Sequence, residues 1–395
     1  MRVLILGAGY AGALAAVRLA GRARERVDIT VVNPRPGFVH RLRMHHVAVG
    51  YDVPSRSLVE LLGSGIRFVE GSVAALDPDR STAEIAGPEG LRTIRFDRVI
   101  IATGSTTESA PVPGGENAYG LADIDSARKL RAAFAALAPE AEVAVVGGGF
   151  TGLETVAEMA ERRPDIRVRL IARGDVAEWF SPRARSHVRE TLAGLGVETI
   201  GGARVAAVQP RAVLLDDGAE ISADLTVWCG GFAAAPLARE AGLTVDEQGA
   251  VVTDAALRSV SHPTVLAVGD AAHAPSPQGG RYSMSCQFAL PSGAHAADVL
   301  RNEAFGRSEA DRDAYDQGFL ARCLSLGSRA AVVQLTDRDD VATERAIIGR
   351  SAVLAKRLQL GGMLPAIASE RRMPGLVRWP GSGREGTRAM APVAG

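Results

Sequence analysis

Arg2-Val3-Leu4-Ile5-Leu6 runs directly into Gly7-Ala8-Gly9-Tyr10-Ala11-Gly12; an alanine-rich stretch follows to Ala20, and Val27-Asp28-Ile29-Thr30-Val31-Val32 closes the unit. A short apolar run that breaks at glycine reads as a buried strand entering a turn, the alanine-rich stretch reads as an amphipathic helix, and the second apolar run reads as another strand. The plan returns in Glu142-Val143-Ala144-Val145-Val146, Gly147-Gly148-Gly149-Phe150-Thr151-Gly152, a helix to about Glu161, and Arg167-Val168-Arg169-Leu170-Ile171. In a GxGxxG turn the first glycine permits the bend, the second lets backbone approach a pyrophosphate, and the third lets helix pack close to strand. Amides at the helix N-terminus then face the anion. One such turn is merely a strand-to-helix connection. Two copies, each between a strand and a helix and each followed by a further strand, predict two dinucleotide-binding units.

Between the copies, Arg98-Val99-Ile100-Ile101 and Ala102-Thr103-Gly104 read as a strand and glycine turn, and Pro111-Val112-Pro113-Gly114-Gly115 as a crossover between domains. Beyond the second copy, Ala212 to Leu215, the turn Asp216-Asp217-Gly218 and Leu225 to Cys229 read as a hairpin whose return strand closes the second sheet. Thr264 to Val268, ending in Gly269-Asp270, and a small-residue helix from about Gln287 to Leu300 read as a return to the first unit. The expected architecture is α/β: two Rossmann-like dinucleotide-binding domains, one inserted into the other, plus a C-terminal region. Residues 1–115 and 251–310 form the outer domain, 116–250 the inserted one, and 311–395 a weakly patterned region with a flexible tail from Pro380.

A chain of 395 residues has room for these domains, and 47% hydrophobic residues with 23% charged suit a soluble α/β protein. Lys plus Arg equals Asp plus Glu at 45 each, so no global field draws nucleic acid or an acidic membrane. Cys229, Cys286 and Cys323 lack CxxC spacing, which disfavours a disulfide framework or dithiol centre and suits a reducing cytoplasm. The apolar run Val3 to Leu6 is too short for a signal peptide or a membrane span.

The acid that holds a ribose hydroxyl normally stands about twenty residues past the third glycine. Asn33 occupies that place in the first unit and can still hydrogen-bond a ribose; the second unit has Ala172-Arg173 and no acid. Arg173, helped by Arg183 or Arg185, would pair with a 2′-phosphate, so NADPH is expected to be preferred over NADH. The plainer reading of Arg173 is a solvated surface arginine.

These motifs resemble the pyridine-nucleotide-dependent flavoprotein oxidoreductases, especially type II NADH:quinone oxidoreductases and apoptosis-inducing-factor-like proteins. The resemblance covers about residues 1 to 300 and rests on Gly7 to Gly12, Ala102-Thr103-Gly104, Gly147 to Glu154 and Ala267 to Asp270, in the family's order. It implies that the outer domain binds FAD and the inserted one NADP or NAD. Gly7, Gly9 and Gly12, with Tyr10 and Ala11 between them, would cradle the FAD pyrophosphate, with Ala102, Thr103 and Gly104 alongside. Asn33 would face its adenosine ribose, and Gly269-Asp270 its ribityl chain. Gly147, Gly149 and Gly152, with Phe150 and Thr151, would take the nicotinamide nucleotide. Glu154 is the one candidate catalytic residue, near nicotinamide or flavin; its plainer reading is a first-turn acid favoured by the helix dipole.

Disulfide reductases of this fold carry a redox cysteine pair, and its absence here argues for a mechanism without a dithiol. Quinone-reducing relatives carry a Gln-rich segment and an amphipathic membrane-binding C-terminal region. Ser285 to Gly293 keeps Gln287 but has Leu290-Pro291, and Ser351 to Ala366 is interrupted by Gly361-Gly362, so membrane attachment is weakly supported. Asn33 to His46 should lie beside the flavin, where Arg41 or Arg43 would stabilise the charge of the reduced ring. His40, His45 and His46 share this loop without a nearby Cys or carboxylate, so no metal site is expected. Cys286 and Cys229 read as small buried hydrophobes.

The activity implied is transfer of hydride from NAD(P)H to FAD, then of electrons to a quinone-like or other small acceptor. A reductase of a ferredoxin or other protein carrier and a flavin-loaded redox sensor are the alternatives. The family also leaves room for a homodimer.

Overall fold

The computed structural model describes residues 1–106, 110–276, 279–307 and 314–382. The chain begins with β1 (Arg2–Leu6), α1 (Tyr10–Ala23), β2 (Asp28–Asn33), the short α2 (Met44–Ala48), β3 (Ile66–Glu70) and β4 (Arg98–Ile101). It then leaves that sheet for β5 (Ala118–Gly120), β6 (Glu142–Val146), α3 (Phe150–Arg162), β7 (Arg167–Ile171), β8 (Glu198–Ile200) and β9 (Leu225–Trp228). β10 (Val265–Ala267) and α4 (Cys286–Ala304) rejoin the first part. The result is two parallel five-stranded sheets, ordered β10-β4-β1-β2-β3 and β8-β7-β6-β9-β5, the second formed by chain that lies between β4 and β10. This is the nested pair of Rossmann-type units expected.

The two sheets match strand by strand. Leu6 at the end of β1 lies level with Val32 and Ile101, and Val146 at the end of β6 lies level with Ile171 and Trp228. The switch in strand order therefore falls at the carboxyl ends of β1 and β6, where open α/β sheets bind ligands. α1 and α4 cross closely at Gly293, where an added Cβ would run into the backbone of Ala11.

The expected hairpin is replaced by two separate structures. Ala212–Leu215 pairs antiparallel with Val205–Gln209 and with Glu220–Ser222, while β9 lies parallel to β6 in the second sheet. Leu225, Thr226 and Val227 are all buried, as a central strand covered on both faces requires.

The C-terminal region is more ordered than its patterning suggests. β11 (Ala321–Leu326), β12 (Ala330–Thr336) and β13 (Ala342–Ile348) form an antiparallel sheet, followed by α5 (Arg350–Glu370). Leu324, Leu326 and Val332 join the core of the second unit, whereas Met363, Leu364 and Ile367 join that of the first. This packing carries α5 through Gly361, Gly362 and Pro365 despite their low helix propensity. Most of the expected flexible tail, from residue 383 on, lies outside the described residues. No described helix is long and apolar enough to cross a membrane.

Candidate cofactor and redox site

The glycine turns divide their work in the same way. Gly7 and Gly147 hold φ of +101° and +123°, a region that disfavours a side chain. A Cβ on Gly12 would collide with the carbonyl of Gly7, and one on Gly152 with that of Gly147. A Cβ on Gly9 or Gly149 would meet nothing within 4 Å among the described residues. The second glycine of each turn thus faces open space. No described side chain caps α1 or α3, so their first amides remain available to an anion. Both turns fit a dinucleotide pyrophosphate.

In the first unit, Asn33 Oδ1 accepts from the Ala8 amide at 3.0 Å and its Nδ2 donates to the Arg35 carbonyl at 2.8 Å, so this side chain braces the turn beside the expected ribose position. Asp270 follows β10 and accepts from the Ser105 hydroxyl at 2.6 Å. Arg41 Nη1 donates to the Ser105 carbonyl, while its Nη2 is buried with no partner among the described residues. An orphaned guanidinium nitrogen next to an aspartate fits an anionic or carbonyl-rich ligand. Thr103 and half-buried Gly104, with φ +71°, follow β4 beside them, and Ala102 backs the bend at Gly7. Tyr10 is buried against Phe38, its hydroxyl 3.3 Å from His40 Nδ1. Ser105, which joins Arg41 to Asp270, carries no motif that sequence could have flagged.

In the second unit, Phe150 stacks on Trp179 with ring centroids 4.6 Å apart, and the Thr151 carbonyl accepts from the Thr155 hydroxyl. β7 runs into Ala172, against which Gly148 packs so tightly that a Cβ would lie 2.7 Å from the alanine methyl. Arg173 and Arg183 are exposed, whereas Arg185 is half-buried, 4.0 Å from Asp175, and donates to the Glu178 carbonyl.

Glu154 is neither in the first turn of α3 nor open to solvent. Its Oε1 accepts from the Ser325 amide and hydroxyl and from Lys356 Nζ, each at 3.0 Å, and its Oε2 is 3.7 Å from His45 Nδ1. α2, α3, β11 and α5 thus converge on one buried carboxylate. Burial alone would raise its pKa, but the Lys356 ammonium and the Ser325 amide outweigh burial and hold it below the usual carboxylate range. Burial likewise opposes the Lys356 ammonium, and the Glu154 charge more than restores it. Burial drives His45 down to about 3, leaving that ring neutral. Lys356 Nζ also donates to the Cys323 carbonyl at 2.9 Å, and Gln287 Nε2 to the Ala321 carbonyl at 2.8 Å.

Burial raises all three thiols above their ordinary range. Burial pushes the Cys286 thiol up to about 11 and Cys229 to about 12, although Cys286 and Cys323, distant in sequence, are close enough to influence each other. A cavity of about 300 Å³ lies beside the buried cluster, lined by His46, Tyr51, Glu158, Ser325, Lys356 and Arg357 among others. A larger cleft of about 580 Å³ runs along β5 and contains none of the glycines or charged groups described above.

A family model described as pyridine nucleotide-disulphide oxidoreductase matches residues 1–293. An NADH dehydrogenase-like protein of Mycobacterium tuberculosis is 31% identical over 367 residues, covering 84% of this chain and 87% of its own. A type II NADH:quinone oxidoreductase of Staphylococcus haemolyticus is 24% identical, covering 90% and 93%. Among solved structures, NDH2 from Plasmodium falciparum in complex with NADH superposes with a TM-score of 0.77 at 16% identity, over 95% of this chain and 99% of that one. With its paired glycine turns and nested sheets, this chain belongs to the pyridine nucleotide-disulphide oxidoreductase family.

Proposed function

We propose that the protein is an FAD-dependent NAD(P)H oxidoreductase that delivers electrons to a small quinone-like acceptor without a dithiol step. The observation that carries the reading is the pair of glycine turns, each with an open second glycine and an uncapped helix, in two sheets of matching register. The first turn, with Asp270, Ser105 and Arg41, is the site assigned to FAD, and the second to the nicotinamide nucleotide. When bound, FAD supplies hydride acceptance and onward release of electrons. Arg41 offers fixed positive charge where negative charge accumulates on reduction.

Reduction of a quinone also consumes protons. The proton-bearing group assigned to that step is Lys356 Nζ, held 3.0 Å from Glu154 and lining the adjoining cavity. The quinone class is supported by the named activity of the staphylococcal relative. Arg173, exposed beyond Ala172 with no acid at the end of β7, favours NADPH over NADH. We place the enzyme in the cytoplasm.

The test is steady-state oxidation of NADPH with a water-soluble quinone or with ferredoxin as acceptor. Many turnovers per flavin with quinone and few with ferredoxin are expected. Turnover only with ferredoxin would move the acceptor to a protein carrier, and a single slow reduction without turnover would make the protein a sensor.

A further inference from the structure

α2 places His45 and His46 against α3, and there the loop histidines meet the carboxylate that sequence could not supply: Glu158, more than a hundred residues away. One candidate ligand atom from each of His45, His46 and Glu158 lies within 4.8 Å of the other two. His46 Nε2 is 3.2 Å from Glu158 Oε1. That separation matches the edge of a Zn²⁺ tetrahedron, roughly 3.3 Å when metal–ligand bonds are about 2.0–2.1 Å.

Two further atoms point to a missing partner. His45, 3% exposed, has its Nε2 buried with no hydrogen bond among the described residues, and so has Oε2 of Glu158, 2% exposed. Leaving such atoms bare is costly. The other nitrogen of His45 lies 3.7 Å from Glu154, beyond hydrogen-bond reach, so Nε2 is the ring's buried and unpartnered candidate ligand atom. His46 Nδ1 accepts a long hydrogen bond of 3.4 Å from Arg43 Nε, which leaves Nε2 on the Glu158 side; half-buried Arg43 also lines the cavity. The cavity, bordered by both His46 and Glu158, gives an ion its entry path and leaves room for a water as fourth ligand.

We propose that His45, His46 and Glu158 form a binding site for a single divalent ion of the zinc class that clamps α2 onto α3. Lys356 is paired with Glu154 and Glu158 brings one negative charge to the ion, while Arg43 and Arg357 in the cavity wall oppose it, so affinity has to come from the ligand bonds.

The experiment is calorimetric titration of chelator-stripped, flavin-loaded protein with ZnCl2, paired with absorption spectra after Co²⁺ loading. One ion per chain, bound tighter than about 1 μM, with the intense visible bands of a tetrahedral nitrogen–oxygen site, is expected. Glu158→Gln and His46→Gln should each weaken binding at least tenfold, while a Cys286→Ser/Cys323→Ser variant should bind as wild type. Absence of stoichiometric binding in the wild type would overturn the proposal, as would thiolate charge-transfer bands or unchanged affinity in both Glu158→Gln and His46→Gln. Should one variant fail to fold, the other variant and the Co²⁺ spectrum still decide.

Discussion

α1 and α3 start from superimposable glycine turns, yet the residues on their buried faces have diverged. Counting from the turn, Leu14 of α1 corresponds to Glu154 of α3, and Arg18 to Glu158. Leu14 sits in the apolar core, whereas Glu154 receives Lys356. Arg18, only 5% exposed, pairs with Asp298 at 2.6 Å and with Glu370 at 3.3 Å. α5 therefore reaches both Rossmann helices with buried charge of opposite sign, Lys356 near its start and Glu370 at its end. Backbone geometry is shared because glycine sterics impose it; side-chain chemistry differs because each helix meets a different part of the C-terminal region.

The comparison is most sharply broken by a methyl group. Gly12→Ala and Gly152→Ala should each cost at least about 3 kcal/mol of stability, because each Cβ collides with backbone that cannot yield; Gly12→Ala should give protein without flavin, whereas Gly152→Ala should remain yellow while losing reduction by NAD(P)H more than about 100-fold. Flavin absorbance after purification and on NADPH addition reads both. Equal behaviour of the two variants would mean that the turns do not have separate tasks.

Next in size is the buried pair. Glu154→Ala should destabilise by about 3–5 kcal/mol, because Lys356 would be left charged and unpaired, and Glu154→Ala/Lys356→Met should recover most of that in denaturant titrations. pH sharpens the point. The folded-state pKa of Glu154 is depressed, so its contribution is complete above its unfolded pKa and is lost as pH falls through the folded value. That of Lys356 is raised, so its contribution is complete below its unfolded pKa and is lost as pH rises through the folded value. The Glu154→Gln variant should therefore show a shallower loss of stability than wild type at acid pH.

The ends of β2 and β7 give a smaller contrast. Arg173→Ala should lower kcat/KM for NADPH by about 10- to 100-fold and leave NADH nearly unchanged, the scale of one charge-assisted contact. Equal losses with both nucleotides would return Arg173 to the solvated surface. Smallest of all, Ser105→Ala removes one hydrogen bond to Asp270 and should weaken FAD retention by about 1 kcal/mol, measured by flavin release in urea.

The nested sheets were legible because strand, glycine turn and helix repeat within short windows, and the first and third glycines of each turn have a steric reason to be there. Sequence placed Leu225 to Cys229 in the second sheet correctly but erred in pairing it with Ala212 to Leu215: two apolar runs beside a good turn read as a hairpin, whereas burial of Leu225 to Val227 on both faces goes with parallel pairing to β6. α5 was hidden because Gly361, Gly362 and Pro365 obscure its period, and packing against two cores overrides them. The Glu154–Lys356–His45 cluster was illegible for a different reason. Its members come from the loop after β2, from α3 and from α5, and nothing local in any of them announces the others.

Anaerobic mixing of the flavin-loaded protein with NADPH and, separately, NADH, following the oxidised-flavin absorbance band in time, tests the central claim most directly. Rapid bleaching with NADPH and slower bleaching with NADH is the predicted result. A yellow protein that neither nucleotide bleaches would contradict the assignment of the second turn to a hydride donor.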